Sequence, residues 1–397
     1  MTKDMTESFD KKSKRYLTAM KNEKPDRVPI RPFAAEFIAK YAGFTVQEVT
    51  HEYSKAFEAT KKCAKDFQWD ATIANMVFVW TGFVDHFGQK YYRIPGIDLP
   101  ADMNFQYIEP PDEENAYMKE DEYDDFIESP MEFLLNIWLP RISKFAVPMG
   151  EPNTSRNNLA WLKGGMAMME YLSEFGKATG EIIDETGCAP AIFGSYKAPF
   201  DILGDKLRGF RQVCADVYRF PQKVQAAVEA MAPHILQDAL TSSDPSKTFP
   251  NVIWLHRGTL FSDSMYQRYF WPTLKYIIEE LFKEGHQTLW YGEGDWSRWY
   301  NYTRQLPEKS IIYHVDKEDI FEANRQLGDK FAISGGVPND LLAYGSKEEV
   351  MNHCKKIFET VGKDGGYILD AGAIIQGDAK TENIQALTDA VMRYGIY

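Results

Sequence analysis

Short apolar runs rich in β-branched and aromatic residues recur along the chain at 27–33, 71–80, 190–196, 251–256, 288–293, 311–315, 331–335 and 367–371. Each is bounded by turn residues, as expected for strands buried on both faces of a parallel sheet. Helical periodicity fills the gaps between them. Over 265–284, Phe270, Leu274, Ile277, Ile278, Leu281 and Phe282 share one stripe, Glu279, Glu280 and Lys283 fall outside it, and Gly285 is a stop signal. Ser346 and Glu349 have capping-box spacing and open a helix carrying Val350, Cys354 and Ile357. Strand, helix, strand with right-handed crossovers predicts an α/β fold, a (β/α)8 TIM barrel whose strand C-termini converge on one mouth. The polar stretch 1–24 is expected as an N-terminal helical extension. The segment 82–158, rich in Pro, Asp, Glu and aromatics, breaks the rhythm and is expected to be an insertion over or beside the mouth. No Pro/Gly/Ser-rich linker divides the chain, so residues 1–397 read as one elaborated domain.

Composition narrows the partners. With 44% apolar residues the chain can bury a large core, and its net charge of −13, without any Lys/Arg block, disfavours nucleic acid. Cys63, Cys188, Cys214 and Cys354 lack CxxC spacing, which fits reduced thiols in a cytosolic protein. The N-terminus has no apolar leader core, and no stretch reaches the roughly 18 apolar residues of a membrane span. A cytoplasmic, soluble protein is expected.

Several segments carry a resemblance. They are Lys24-Pro-Asp-Arg-Val-Pro-Ile30, Met118-Lys-Glu-Asp-Glu-Tyr-Asp124 with Ser129-Pro130, the stretch from Ala198 to Gly209, Ser334-Gly-Gly-Val-Pro338 with Leu341, Leu342 and Gly345, and Gly365 to Gly372 with Glu382-Asn383. In order and spacing the chain resembles the uroporphyrinogen decarboxylase superfamily, and within it the corrinoid-dependent methyltransferase branch. The departures refine this. Decarboxylases of that family carry an Arg-Gln-Ala-Gly-Arg motif that gathers arginines for substrate carboxylates, whereas here the stretch from Arg31 to Lys40 holds one arginine. A lone guanidinium does not replace such a cluster of bidentate contacts.

Branch members that act on thiols hold zinc with His-x-Cys and a later Cys; the matching positions here are Tyr291-Gly-Glu293 and the neighbourhood of Ala373. Carboxylate and imidazole ligands leave zinc harder and more Lewis acidic toward oxygen than thiolates do. The resemblance thus implies zinc on Glu293 and His314, one β/α repeat apart, as in the methyltransferase component of anaerobic aryl-ether O-demethylases. That component has a further glutamate, but Glu279 and Glu280 lie in mid-helix off the strand ends. His256 is the better-placed third ligand, with Asp316 and Asp370 as fallback choices.

Each candidate also has a plainer role. His314 reads equally as a hydrogen-bonded barrel histidine, and His256 as a polar partner to the Arg257 turn or a substrate donor. Tyr291 is either pocket wall or an acid near the leaving oxygen. Phe33, Phe78, Trp80, Phe193, Tyr196, Trp290 and Trp296 are candidates for an arene slot, although aromatics are most often core. Met166-Ala-Met-Met169 is most simply core or insertion packing, and neither Cys188 nor Cys354 is placed as a nucleophile.

The expected reaction moves a methyl group from an aryl methyl ether to the cob(I)alamin of a separate corrinoid protein, which supplies the nucleophile while this chain orients the donor and helps the oxygen leave. Other methyl donors (a methylamine, methanol, a methyl halide), decarboxylation of a small acid, and a non-catalytic barrel subunit are the alternatives. The oligomeric state is not legible.

Overall fold

The computed structural model describes residues 3–75, 80–148 and 150–397. Eight extended segments close on one another through parallel backbone pairing. Asp70 and Ala71 donate to the carbonyl of Ile30, Ala71 pairs with Ala189, Ser195 with Val252, Asn251 with Thr288, Thr288 with Ile311, Ile312 with Ala332, and Ile333 with Tyr367. The circle is completed where Arg31 N–H donates to Leu369 and Leu369 N–H donates to Pro29. The expected TIM barrel is therefore the fold.

Strand alternation divides the core into two layers. Val252, Leu289, Ile312, Ala332 and Ile368 point inward with Ala71, Ala189 and Ala191, while Ile253, Trp290, Tyr313, Ile333 and Leu369 point outward under the helices. Small residues on the second and third segments leave room for an aromatic plug. It comes from the N-terminal helix Lys3–Met20, whose Tyr16 is fully buried in the inner layer and donates its hydroxyl to the Ala191 carbonyl at 2.7 Å. Arg15 on the same helix pairs with Asp26 and Asp70, and Asp70 also takes Arg27, so the extension is tied down by charge as well as burial.

The helix expected over 265–284 forms as Asp263–Met265, a wide π turn at Tyr266–Phe270, and Trp271–Lys283. Pro272 has no N–H to donate, which accounts for the irregular turn before it. Gly285 follows at φ +89, a conformation open to glycine. The Ser346–Glu349 capping box opens Lys347–Thr360 as read from the sequence.

Three expectations about the irregular region change. The second strand is assigned only at Ala71–Thr72, residues 76–79, including Phe78, lie outside the described residues, and Trp80 caps the helix Thr81–Phe87. The far boundary at 158 falls inside a 32-residue helix, Ser155–Thr186, which starts at a Thr154–Asn157 capping box. On that helix Met166 and Met169 are 64% and 71% exposed, not core. Between these helices the segment carries a small antiparallel ribbon, Tyr92–Arg93 with Gln106–Tyr107. Arg208 anchors the segment: its Nε meets Asp216, its Nη atoms meet Glu113, and Nη1 donates to the Met118 carbonyl. Among the described residues no helix is long and apolar enough to cross a membrane.

Candidate functional site

The C-terminal ends of the third to fifth strands open into a cleft of about 580 Å³. Trp254 forms part of its lining, Lys197, His256 and Glu293 stand at the strand ends, and Tyr92 and Tyr107 from the ribbon form the opposite wall. The segment 82–158 thus supplies one side of the mouth.

His256 follows the strand Asn251–Leu255 and is held from behind. Asp201, fully buried, accepts the backbone N–H of His256 and of Arg257, so its carboxyl fixes the turn that aims both side chains; burial raises its pKa to about 6. One helical turn later Asp205 receives Lys197 and the guanidinium of Arg257, and lies 3.0 Å from His256 Nδ1. Burial alone would raise the pKa of Asp205, but the hydrogen bond to His256 and the cations Lys197 and Arg257 hold it well below the usual carboxylate range. The outer nitrogen of His256, Nε2, faces Glu293 Oε1 at 3.8 Å. Glu293 is itself 48% exposed and accessible from the cleft.

A second polar layer lies beneath, inside the barrel. His314 is fully buried: its Nε2 lies 2.9 Å from the Gly372 carbonyl and its Nδ1 3.1 Å from Ser334 Oγ. Burial, reinforced by Arg31, lowers its pKa to about 3, so the ring is neutral, with Nε2 donating and Nδ1 accepting. Tyr291, Arg31 and Asp370 complete the layer. Arg31 is 0% exposed; among the described residues its three nitrogens have no hydrogen-bond partner, and its paired charge is Asp370, with Oδ2 at 3.3 Å. Burial raises Asp370 to about 7 against the pull of Arg31 and of the N–H groups of Phe33 and Ala371. The Tyr291 hydroxyl, also buried, has no hydrogen-bond partner among the described residues.

Placed on this frame, the sequence candidates separate. Glu293 and His256 come together at the mouth. Tyr291 and His314 lie side by side below it, and Phe33 packs on Tyr291 and Trp254 at 5.6 and 6.3 Å. Trp290 and Tyr196 leave the site. Trp290 follows an inward residue on its strand and so points outward onto Trp296 and Tyr313, and Tyr196 spends its hydroxyl on Thr288 at 2.9 Å in the outer layer. Trp80 packs among Tyr53 and Tyr171 between helices, Trp296 lies in the outer layer against Trp290, and Phe193 is an exposed residue ahead of the strand Ser195–Lys197. Cys188 and Cys354 are buried thiols pushed up to about 12, unsuited to nucleophilic work.

The zinc set Glu293, His314 and His256 does not fit this arrangement. Both ring nitrogens of His314 are already committed, and among the described residues no three His, Cys, Asp or Glu side chains converge as metal ligands. The groups that sequence reasoning missed are Asp201, Asp205, Lys197, Lys206 and Arg257. Their signal was the i, i+4 pair Asp201 and Asp205 within the resembling stretch 198–209, just beyond a strand end.

Among curated proteins none matches the chain. A methyltransferase from Methanosarcina mazei shares the fold, with a TM-score of 0.62, 14% sequence identity and coverage of 96% of this chain and 98% of that one. The uroporphyrinogen decarboxylase (URO-D) family model matches residues 150–394, from just before the long helix to the end of the last helix, and the chain belongs to that family.

Proposed function

We propose that the chain transfers a methyl group from an O-methyl donor, an aryl methyl ether, to the reduced cobalt of a corrinoid carried by a separate protein. The observation that carries this reading is the cleft itself. Its walls are Trp254 and the tyrosines of the ribbon, its charged groups come from the strand ends and from the turn Leu203–Leu207, and its volume of about 580 Å³ suits a small arene. The corrinoid would supply the nucleophile, and the remaining tasks fall to the residues of this chain.

Aryl ethers resist demethylation because a phenolate leaves poorly, so charge growing on the oxygen must be neutralised where it forms. Trp254 and Tyr107 would stack the ring, while Asp201 and Asp205 keep His256 and Arg257 aimed at the mouth. Glu293 would set the donor's orientation together with His256. The zinc set does not assemble, so the neutralising role would fall to the chain's own cations.

Two observations weigh against the alternatives. A methylated amine would need an aromatic cage, but the cage formed by Tyr91, Tyr92 and Tyr107 already holds the ammonium of Lys206. Decarboxylation of a small acid would need a free cation to hold its carboxylate, whereas Arg31 lies buried in the barrel beside Asp370 and Arg257 is paired with Asp205 and Glu109.

The test is to mix the protein with a reduced corrinoid protein and a panel of methoxyarenes and follow the cobalt absorption. Appearance of methylcobalt with one or more arenes supports the reading. Its absence with every arene, alongside transfer from methanol or a methylamine, would move the assignment to that donor.

A further inference from the structure

We propose that Lys206 is the acid that gives a proton to the oxygen from which the methyl group departs. This rests on the methyl-transfer reading above and assigns the neutralising role that zinc does not fill.

Lys206 sits on a wide π turn, Leu203–Leu207, shortly after the third barrel segment ends. Such turns interrupt regular helix hydrogen bonding and often occur where a side chain must be aimed at a site. Here the backbone is pinned by Trp138, whose indole N–H donates to the Lys206 carbonyl at 2.7 Å. The side chain crosses to the ribbon, and its Nζ lies 4.0 Å from the ring centre of Tyr107, 4.3 Å from that of Tyr91 and 5.4 Å from that of Tyr92. It also lines the cleft alongside Trp254 and Glu293.

What sets this ammonium apart is that, among the described residues, no carboxylate forms an ion pair with it. Asp205, its neighbour in sequence, is taken by Lys197, His256 and Arg257. Tyrosine faces stabilise a cation without accepting its protons strongly, so an oxygen entering the cleft becomes the natural acceptor. The charged and titratable groups around Nζ are Lys197 and Asp205 on the barrel side and the three tyrosines on the ribbon side. Burial and then the charge of Lys197 lower its pKa to about 8, with Asp205 acting in the opposite sense. An amine in that range is protonated at neutral pH, yet it is a stronger acid than a phenol of pKa about 10, so transfer to a departing phenolate is downhill.

In the step, the methyl–oxygen bond breaks and its electron pair stays on oxygen. The methyl carbon bonds to the reduced cobalt of the partner, and the oxygen takes a proton from Nζ, leaving the phenol and a neutral amine. Water in the open cleft reprotonates the amine.

The experiment uses the full chain, Lys206→Met and Lys206→Arg, a reduced corrinoid protein, and two donors, one releasing a basic phenolate and one a nitrophenolate. Lys206→Met should lower kcat for the basic donor by about 10²–10³-fold with KM little changed, and at least tenfold less for the nitro donor, which needs no acid. Lys206→Arg should resemble Lys206→Met, because a guanidinium keeps its proton. Equal losses on both donors, or wild-type rates in Lys206→Arg, would overturn the acid role while methyl transfer stands. Independently, competitive labelling of Lys206 with acetic anhydride in the wild-type protein should show a midpoint near pH 8. A midpoint at the ordinary lysine value overturns the proposal without reference to any donor, whereas a wild-type protein inert toward every donor would remove the methyl-transfer reading itself.

Discussion

The imidazole of His314 lies flat against the phenol ring of Tyr291, centroids 4.1 Å apart and planes 16° from parallel, on neighbouring strands in direct register. With both nitrogens hydrogen bonded, the ring is built into the barrel interior. Replacing His314 with Ala should therefore destabilise the fold by about 2–4 kcal/mol, from the cavity and the unpaired Ser334 and Gly372 groups. A urea titration checks this, and an unchanged midpoint would show that the histidine is not structural.

Glu293 behaves in the opposite way. Nearly half exposed at the rim, it should tolerate Gln with a stability change within about 0.5 kcal/mol. Methyl transfer should nevertheless fall at least tenfold if the carboxylate orients the donor with His256. Thermal melting and the initial rate separate the two effects, and a fully active Glu293→Gln would remove this residue from the mechanism.

Two buried neighbours give opposing pH dependences. His314, with its pKa lowered to about 3, refuses a proton that the unfolded chain takes below about 6.5, so its contribution to stability is lost as pH falls through that window. Asp370, raised to about 7, keeps a proton that the unfolded chain loses near pH 4, so its contribution is present at low pH and lost as pH rises toward 7. Each slope is at most about 1.4 kcal/mol per pH unit, and between about pH 4 and 6.5 they oppose each other. In that window the stability of His314→Gln should decline with rising pH, and that of Asp370→Asn should climb. Parallel profiles for both variants would contradict the assignment, whatever their absolute stabilities.

The order of the strands was readable because each is a short apolar run between turn residues, and the runs at 251–256, 288–293 and 311–315 match the observed strands to within a residue. Which side each residue faces was readable only in part. Trp290 and Tyr291 are adjacent, so only one of them is able to face the barrel interior. The depth of His314 was hidden, because its distance below the mouth depends on where the strand ends relative to its neighbours. The Lys206 environment was hidden more completely. It joins a turn after the third segment to tyrosines of a ribbon far back in the chain, and neither stretch has a periodicity that points to the other.

The barrel-side wall of the cleft gives a further expectation. Trp254 lies 5.0 Å from Tyr291 and 6.3 Å from Phe33, bridging the buried layer and the cleft. Trp254→Leu should raise KM for an aromatic donor by about tenfold, a loss of about 1.4 kcal/mol consistent with losing one stacking surface. Trp254→Phe is the control, since it keeps an aromatic face and should leave KM nearly unchanged. An equal increase for both variants would show a general collapse of the cleft.

The most direct test of methyl transfer follows the methyl carbon itself. A methoxyarene labelled with ¹³C in its methyl group, incubated with the protein and a reduced corrinoid protein, should place one label on cobalt for each phenol released, as read by ¹³C NMR. Release of carbon dioxide from a carboxylated donor with the methoxy label still on the arene would contradict it.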